Sequence, residues 1–257
     1  MDSKRSAQVT AENSFPVFPL DCGLLRPQLA SKTRSQKFRN TFKVQLLETF
    51  GTAKNAWEAS PVDLKEVLKD TLSSQFETFR KNFSIESYEK QLQAKNVSFL
   101  ILSDSEYPKL LAVIPNPPFV LYIKGNKSIL ADTMIGIVGT RKVTSYGREV
   151  TEMFAGELTQ TGFTIVSGLA MGVDAIAHKA TLENDGKTVA VLGCGVDCCF
   201  PVENQRLYDA ILEKDGVIVS EYPIGTTPNK GTFPSRNRII AGLSQGVLVT
   251  EGAEDSG

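Results

Sequence analysis

Four glycine-bearing loops of this sequence could hold an anion, and three of them set glycine beside basic or hydroxyl residues. They are Gly139-Thr140-Arg141, Ser167-Gly168-Leu169-Ala170-Met171-Gly172-Val173-Asp174, Gly193-Cys194-Gly195-Val196-Asp197, and a stretch from Glu221-Tyr222-Pro223 through Lys230 and Phe233 to Arg236-Asn237-Arg238. Glycine lets backbone amides approach a ligand closely, and amides at a helix start favour negative charge, so the loops predict a phosphate cradle. A guanidinium fork at Arg141 can grip a phosphate with two parallel hydrogen bonds. Lys230, Arg236 and Arg238 would complete a local basic pocket. Arg236 and Arg238 bracket Asn237 at an expected helix start, where one reaches phosphate while its neighbour pairs with Glu221 or Asp174 inside the fold.

Other chemistries fit the residues less well. There is no G-x-G-x-x-G and no G-x-x-x-x-G-K-[ST], which disfavours a dinucleotide site and P-loop hydrolysis. Ser167, His178 and Asp174 can be drawn as a hydrolytic set, but a serine at a strand end in a glycine loop already explains itself as part of an anion cradle. His178 lies in an apolar helical stretch and reads as a packing residue. Asp174 and Asp197 read as turn and cap residues, and Tyr146 and Tyr222 as half-buried walls. The spacing Cys194-x3-Cys198-Cys199 has no matching set elsewhere to hold zinc, since His178 is the only histidine, so these are expected to be small buried thiols. No metal and no cofactor are expected.

The loops must be positioned by something regular, and the sequence from Met134 onward is regular. MIGIV, FTIVS, TVAVL, GVIVS and GVLVT are nearly continuously apolar, recur every 25 to 30 residues and alternate with helical stretches. That is the pattern of a parallel sheet covered on both faces, a Rossmann-like α/β fold. Ligands of such sheets bind outside the carboxyl ends of the strands, where all four loops fall. Tyr146-Gly147 is expected to open one helix that Gly162 closes after Thr161, and Asn204 to cap another through about Leu212. Upstream, a helix-like Ser87 to Lys95, strand-like VSFLIL and FVLYI, and the turn-rich IPNPP lead into this domain.

Before that, Phe42 to about Phe83 has helical periodicity interrupted by Gly51 and Pro61, a small helical module. Residues 1–38 mix Ser, Thr, Gln, Pro and basic residues and are expected to be a poorly ordered leader. The expected domains are thus 1–38, 39–84 and 85–257. A length of 257 residues supports one large or two modest domains. Lys+Arg of 28 against Asp+Glu of 29 excludes a generally basic chain, and residues 134–257 are acidic, with 10 Lys+Arg against 15 Asp+Glu. Binding of a polyanion must therefore rest on a local pocket. No apolar run approaches the roughly 18 to 20 residues of a membrane helix, and no secretory signal opens the chain, so a cytoplasmic protein with no membrane partner is expected.

Taken together and in this order, these segments resemble the DNA-processing protein A family, DprA or Smf. The resemblance is carried by Gly139-Thr140-Arg141 with Tyr146-Gly147, Ser167-Gly168-Leu169-Ala170 with Gly172, Asp174 and Ala177-His178, and Gly193-x-Gly195 with Asp197 and Pro201-Val202-Glu203-Asn204. It ends in Ser220-Glu221-Tyr222-Pro223 and Phe233-Pro234-Ser235-Arg236-Asn237-Arg238-Ile239-Ile240-Ala241-Gly242-Leu243-Ser244. With LLETFGTAKNAWEAS and YPKLLAVIPNPPFVLYIKG upstream, it covers about residues 42 to 257. It implies a non-enzymatic protein that binds single-stranded DNA, protects incoming strands and loads RecA in natural transformation and recombination, as a homodimer in the full-length family member. It also implies that Lys230 meets phosphate and Phe233 supports the nucleotide. That pairing suits single strands, because an unpaired base exposes a face for sequence-tolerant stacking.

The expected DNA-binding set is then Gly139, Thr140, Arg141, Ser167, Gly168, Lys230, Phe233, Arg236, Asn237 and Arg238. Two departures accompany the resemblance. The leader lacks the glycine-containing helical turn that opens the family's N-terminal module, and the chain ends at Asp255-Ser256-Gly257 where the family continues, so it resembles a C-terminally truncated member. The rival reading is a nucleotide-binding Rossmann-like enzyme that hydrolyses the glycosidic bond of nucleoside monophosphates. Such enzymes carry a Pro-Gly-Gly-x-Gly-Thr loop with a downstream Glu, which this sequence lacks.

Overall fold

The structure, a computed structural model, describes residues 45–252. Their contacts divide into two compact units, one reaching Lys90 and the other starting at Gln91. The leader 1–38 lies outside the described residues.

In the first unit, helical residues 45–50 end at Gly51, whose φ of 77° is the left-handed conformation that glycine adopts without strain. Helix α1 (Ala53–Glu58) is capped by Thr52, whose hydroxyl accepts from the Asn55 amide at 3.1 Å. Helix α2 (Pro61–Asn82) opens on proline with Ser60 as its cap, so the two interruptions read in the sequence are helix boundaries. Leu64, Leu68, Leu72 and Phe76 recur every fourth residue of α2 and are buried, and the helical backbone is interrupted between the two pairs at Lys69, whose φ is 61°. Trp57 meets Phe76 edge-on at 5.6 Å between ring centroids. Helix α3 (Ile85–Ala94) contains the division between the two units, which falls after Lys90.

The second unit is built on a seven-stranded sheet. In chain order its elements are β1 (Val97–Ile101), α4 (Lys109–Ala112), β2 (Val120–Gly125), β3 (Met134–Val138), α5 (Ser145–Gln160), β4 (Thr164–Ser167), α6 (Val173–Glu183), β5 (Thr188–Val191), α7 (Gln205–Glu213), β6 (Val217–Ser220), α8 (Thr232–Leu243) and β7 (Gly246–Val249). The spatial order is β1-β2-β6-β5-β4-β3-β7. All pairs from β6 to β7 are parallel, while β2 joins β6 and β1 joins β2 antiparallel. The expected α/β class with a mostly parallel sheet is the observed one.

Alternation along β3 explains the layering. Met134 and Val138 point to the face covered by α8 and α4, where they join Val166, Val189, Val191, Val217, Val219, Ile239, Ile240 and Leu243. Ile137 points the other way, with Ile165, Val173, Ala177 and Ala180, to the face covered by α5 and α6. Strands β4, β5 and β6 are buried on both faces, which is why they read as unbroken apolar runs.

The order of strands also locates a crevice. Strands β3 to β6 step in one direction across the sheet, whereas β7 lies on the other side of β3. The carboxyl ends of β3 and β7 therefore flank a switch point, the usual place for a ligand in an open α/β sheet. Among the described residues no helix is long and apolar enough to cross a membrane.

Candidate nucleic-acid interface

Arg141 is presented by a loop held from two sides. The Thr140 amide donates to the carbonyl of Glu251 at 2.8 Å, just past β7, and the Thr140 carbonyl accepts from the Val173 amide at 3.1 Å, at the start of α6. Gly139 fits only because it lacks a side chain, since a Cβ there would stand 2.5 Å from the Glu251 carbonyl oxygen and 2.7 Å from Val173 Cγ2. The Glu251 carboxylate accepts from the Thr144 amide at 2.9 Å at the N-terminus of α5. That helix starts at Ser145 with Thr144 as its cap, slightly ahead of the Tyr146-Gly147 opening expected.

Arg141 itself is exposed, and its guanidinium carbon lies 5.9 Å from the centroid of the Phe233 ring. Phe233 is half-buried in the first turn of α8, against Gly193, where a Cβ would come within 3.2 Å of the ring. Phe200 lies beside it, ring centroids 5.4 Å apart. Asn237 follows Phe233 by four residues, hence on the same side of α8, and is exposed. Lys230 is exposed at the tip of a tight turn in which the Asn229 side chain accepts from the amides of Gly231 at 3.0 Å and Thr232 at 3.2 Å. Among the described residues no carboxylate pairs with Arg141 or Lys230. The structure therefore brings Arg141 and Phe233 together beside Thr140, with Lys230 and Asn237 exposed at the entry to α8 and along it.

Of the remaining expected contacts, Ser167, Gly168 and Arg236 lie inside the fold, and Arg238, half-buried, is engaged by partners of its own chain. Ser167 is fully buried, and its hydroxyl donates to the Ile137 carbonyl at 2.6 Å. Gly168 is buried against Arg236, whose Nη1 would lie 1.6 Å from a Cβ at that position. The amides of Gly168 and Ala170, expected to cradle a ligand anion, point instead at the carboxylate of Asp174. Arg236 is only 4% exposed; its Nη1 donates to the Val191 carbonyl at 2.6 Å and its Nη2 stands 3.5 Å from Asp174 Oδ2. Burial pushes the Asp174 carboxyl up and the Arg236 guanidinium down, and their mutual attraction opposes both shifts.

Arg238 grips Glu221 with both fork nitrogens, at 2.9 and 2.7 Å, and donates from Nε to the Asn116 carbonyl at 2.9 Å. The expectation that one of these arginines reaches phosphate is thus replaced by two internal pairs, Arg236 with Asp174 and Arg238 with Glu221. Both serve the site by fixing α8, and with it Phe233, against β5 and β6.

The drawn hydrolytic set does not assemble. His178 is fully buried and its Nδ1 shares a hydrogen bond with Thr188 Oγ1 at 2.6 Å. Thr188 in turn donates to the Ile165 carbonyl at 2.7 Å, so Nδ1 is the donor to Thr188. Burial, with the nearby Arg236 charge, pushes the imidazole pKa down to about 3, which keeps it neutral. Asp197 is structural: it accepts from the Gly225 amide at 2.9 Å and pairs with Lys95 at 3.1 Å. Among the described residues no group of His, Cys, Asp and Glu side chains is arranged to hold a metal ion. Cys194 is buried with its thiol pKa pushed upward by burial, while Cys198 and Cys199 are only half-buried.

Some residues that shape the site escaped the sequence reading. Phe200 is one, and its only signal was an aromatic residue ahead of proline in a loop after a strand. Glu251 and Asn229 are others, polar residues whose partners are set by folding. Asn204 occupies the expected cap position, but its side chain donates to the Leu169 carbonyl at 2.9 Å, tying the α7 loop to the loop after β4. Tyr146 and Tyr222 are not half-buried walls: the first is 71% exposed and the second 3%.

Comparison with known proteins bears on this geometry. The family model of DNA recombination-mediator protein A matches residues 98–257. Protein Smf of Synechocystis is 43% identical over 219 residues, covering 83% of this chain and 55% of that protein. DNA processing protein DprA of Bacillus subtilis is 42% identical over 164 residues, covering 63% of this chain and 55% of that protein. The chain thus spans about half the length of the curated relatives it matches. The X-ray structure of DNA processing protein A from Streptococcus pneumoniae superposes with a TM-score of 0.75 at 31% identity, over 93% of this chain and 78% of that one. DNA processing protein A of Helicobacter pylori, whose structure is described as giving insight into a unique single-stranded DNA binding mode, superposes with a TM-score of 0.56 at 34% identity, over 62% of this chain and 71% of that one. Since one family model matches residues 98–257, more than half of the chain, and the shared fold extends to a solved relative, this chain belongs to the DNA recombination-mediator protein A (DprA/Smf) family.

Proposed function

We propose that this chain binds single-stranded DNA without acting on it chemically, protects incoming strands and hands them to RecA during transformation and recombination in the cytoplasm. The observation that carries the reading is the pairing of an exposed Arg141 with the Phe233 ring at the strand ends beside the switch point. The guanidinium offers charge to a phosphate and the ring offers a face to an unpaired base; duplex DNA hides that face in its own stack. The relative from Helicobacter pylori supports the choice of ligand through its described single-stranded DNA binding mode. Loading of RecA, and a homodimer in the longer protein, rest on kinship with the family.

Fluorescence anisotropy of a labelled oligo-dT across a salt series, with duplex as competitor, tests the reading. The expected result is single-strand preference and a slope of log affinity against log salt of about −0.7 for each phosphate neutralised. Arg141→Glu should weaken binding roughly ten- to hundredfold, the loss of a charge-assisted contact, with the fold intact. Unchanged affinity in that variant rejects the pocket. Release of free base from nucleoside monophosphates would instead favour a glycosidic-bond hydrolase.

A further inference from the structure

Phe200 lies on the loop between β5 and α7, outside the set of residues on which the proposed function rests. Its ring is 44% exposed, and it sits 5.4 Å from the Phe233 ring with the planes 36° apart. Phe233 has Arg141 as its other neighbour. A base cannot slip between the two rings, because a sandwich needs two stacking gaps of about 3.4 Å each, roughly 7 Å in all. Stacking on Phe200 must therefore use the side of its ring turned away from Phe233.

Hydrogen bonds on both sides of Phe200 anchor the loop that carries it. Asp197 accepts from the Gly225 amide at 2.9 Å, the Cys194 thiol donates to the Cys198 carbonyl at 3.2 Å, and Asn204 donates to the Leu169 carbonyl at 2.9 Å. An exposed apolar ring on a loop anchored by these bonds and packed beside a second ring is a surface suited to a flat, apolar-faced ligand, with part of the ordering cost already met by the fold.

We propose that Phe200 is a second base-stacking residue, so that the site takes two neighbouring unpaired bases and not one. The inference rests on the pocket reading above and adds to it that bases, as well as phosphates, determine affinity at this rim. The occupant is the nucleobase of a single strand, of any sequence, since every base has a π face.

The test compares wild type, Phe200→Ala, Phe200→Tyr and Phe233→Ala by anisotropy on two oligomers of equal length, oligo-dT and an abasic strand with the same phosphates. Phe200→Ala should weaken oligo-dT binding about five- to hundredfold, the worth of one stacked base, and leave abasic binding unchanged. Phe200→Tyr keeps the ring and should keep the affinity. If Phe200→Ala stays within about twofold of wild type on oligo-dT while Phe233→Ala weakens it, the pocket stands and the role of Phe200 is overturned. Equal loss on both oligomers also overturns it, since the residue would then act through the fold. A wild-type chain that binds neither oligomer overturns the pocket reading and this inference with it.

Discussion

Arg236 and Arg141 are both arginines of the glycine-rich loops and their adjoining helix, and the structure predicts opposite consequences for removing them. Arg236→Ala deletes the bond to the Val191 carbonyl and leaves Asp174, 5% exposed, without its cation. Breaking a buried pair from one side costs about 3–5 kcal/mol, a large share of the roughly 5–15 kcal/mol that holds a domain together. Arg141→Ala removes an exposed side chain with no carboxylate partner among the described residues, and should change stability by less than about 0.5 kcal/mol. Urea unfolding followed by circular dichroism measures both.

Adding Asp174→Asn to Arg236→Ala should recover part of the loss, because the stranded charge is removed while the amides of Gly168 and Ala170 keep an acceptor. The pH dependence has a defined sign. Without Arg236, burial of the Asp174 carboxyl is opposed only by its hydrogen bonds from Ala170, Gly168 and Ser167, and its folded pKa rises further above the ordinary 3.8. The deficit of Arg236→Ala is thus full above that raised value and shrinks as pH falls toward the ordinary one. The reasoning is refuted if Arg236→Ala unfolds like wild type and instead loses oligonucleotide affinity, for then Arg236 faces the ligand after all.

Two more outcomes follow from buried groups. His178 stays neutral in the fold down to about pH 3 but takes a proton near 6.5 when unfolded, so it contributes stability that is lost as pH falls below the unfolded value. The loss from this residue between about pH 7 and 5.5 is on the order of 1 kcal/mol; His178→Gln should flatten that part of the pH profile, and an unchanged slope counts against the assignment. Gly168→Ala would push a Cβ to 1.6 Å from the Arg236 guanidinium, which cannot swing away without surrendering Val191 and Asp174. A loss of about 1–3 kcal/mol is expected by denaturant titration, and a variant as stable as wild type contradicts the packing described.

Local pattern made much of the fold legible in the sequence. Strands β4 to β6 appear as apolar runs because a strand covered on both faces has no polar side to show, and Gly51 and Pro61 mark helix ends because the backbone permits little else there. The same pattern places the loops at the carboxyl ends of the strands. What it does not contain is which side chains of those loops face outward. Arg141 and Arg236 are the same residue type near glycine. Only the approach of α8 over β5 buries Arg236 against Gly168, while the ties from Thr140 to Glu251 and Val173 hold Arg141 at the surface.

Ser167 and the Gly168 amide are likewise spent on Ile137 and Asp174, partners distant in sequence or hidden by the turn. Phe200 and Phe233, 33 positions apart, meet because β5 and β6 are neighbours and their loops converge at one end of the sheet. Sequence determines elements through interactions a few residues long and so determined the fold class and the succession of strands and helices along the chain. The division of its polar loops into support and surface depends on contacts between distant segments, and that only the tertiary structure decided.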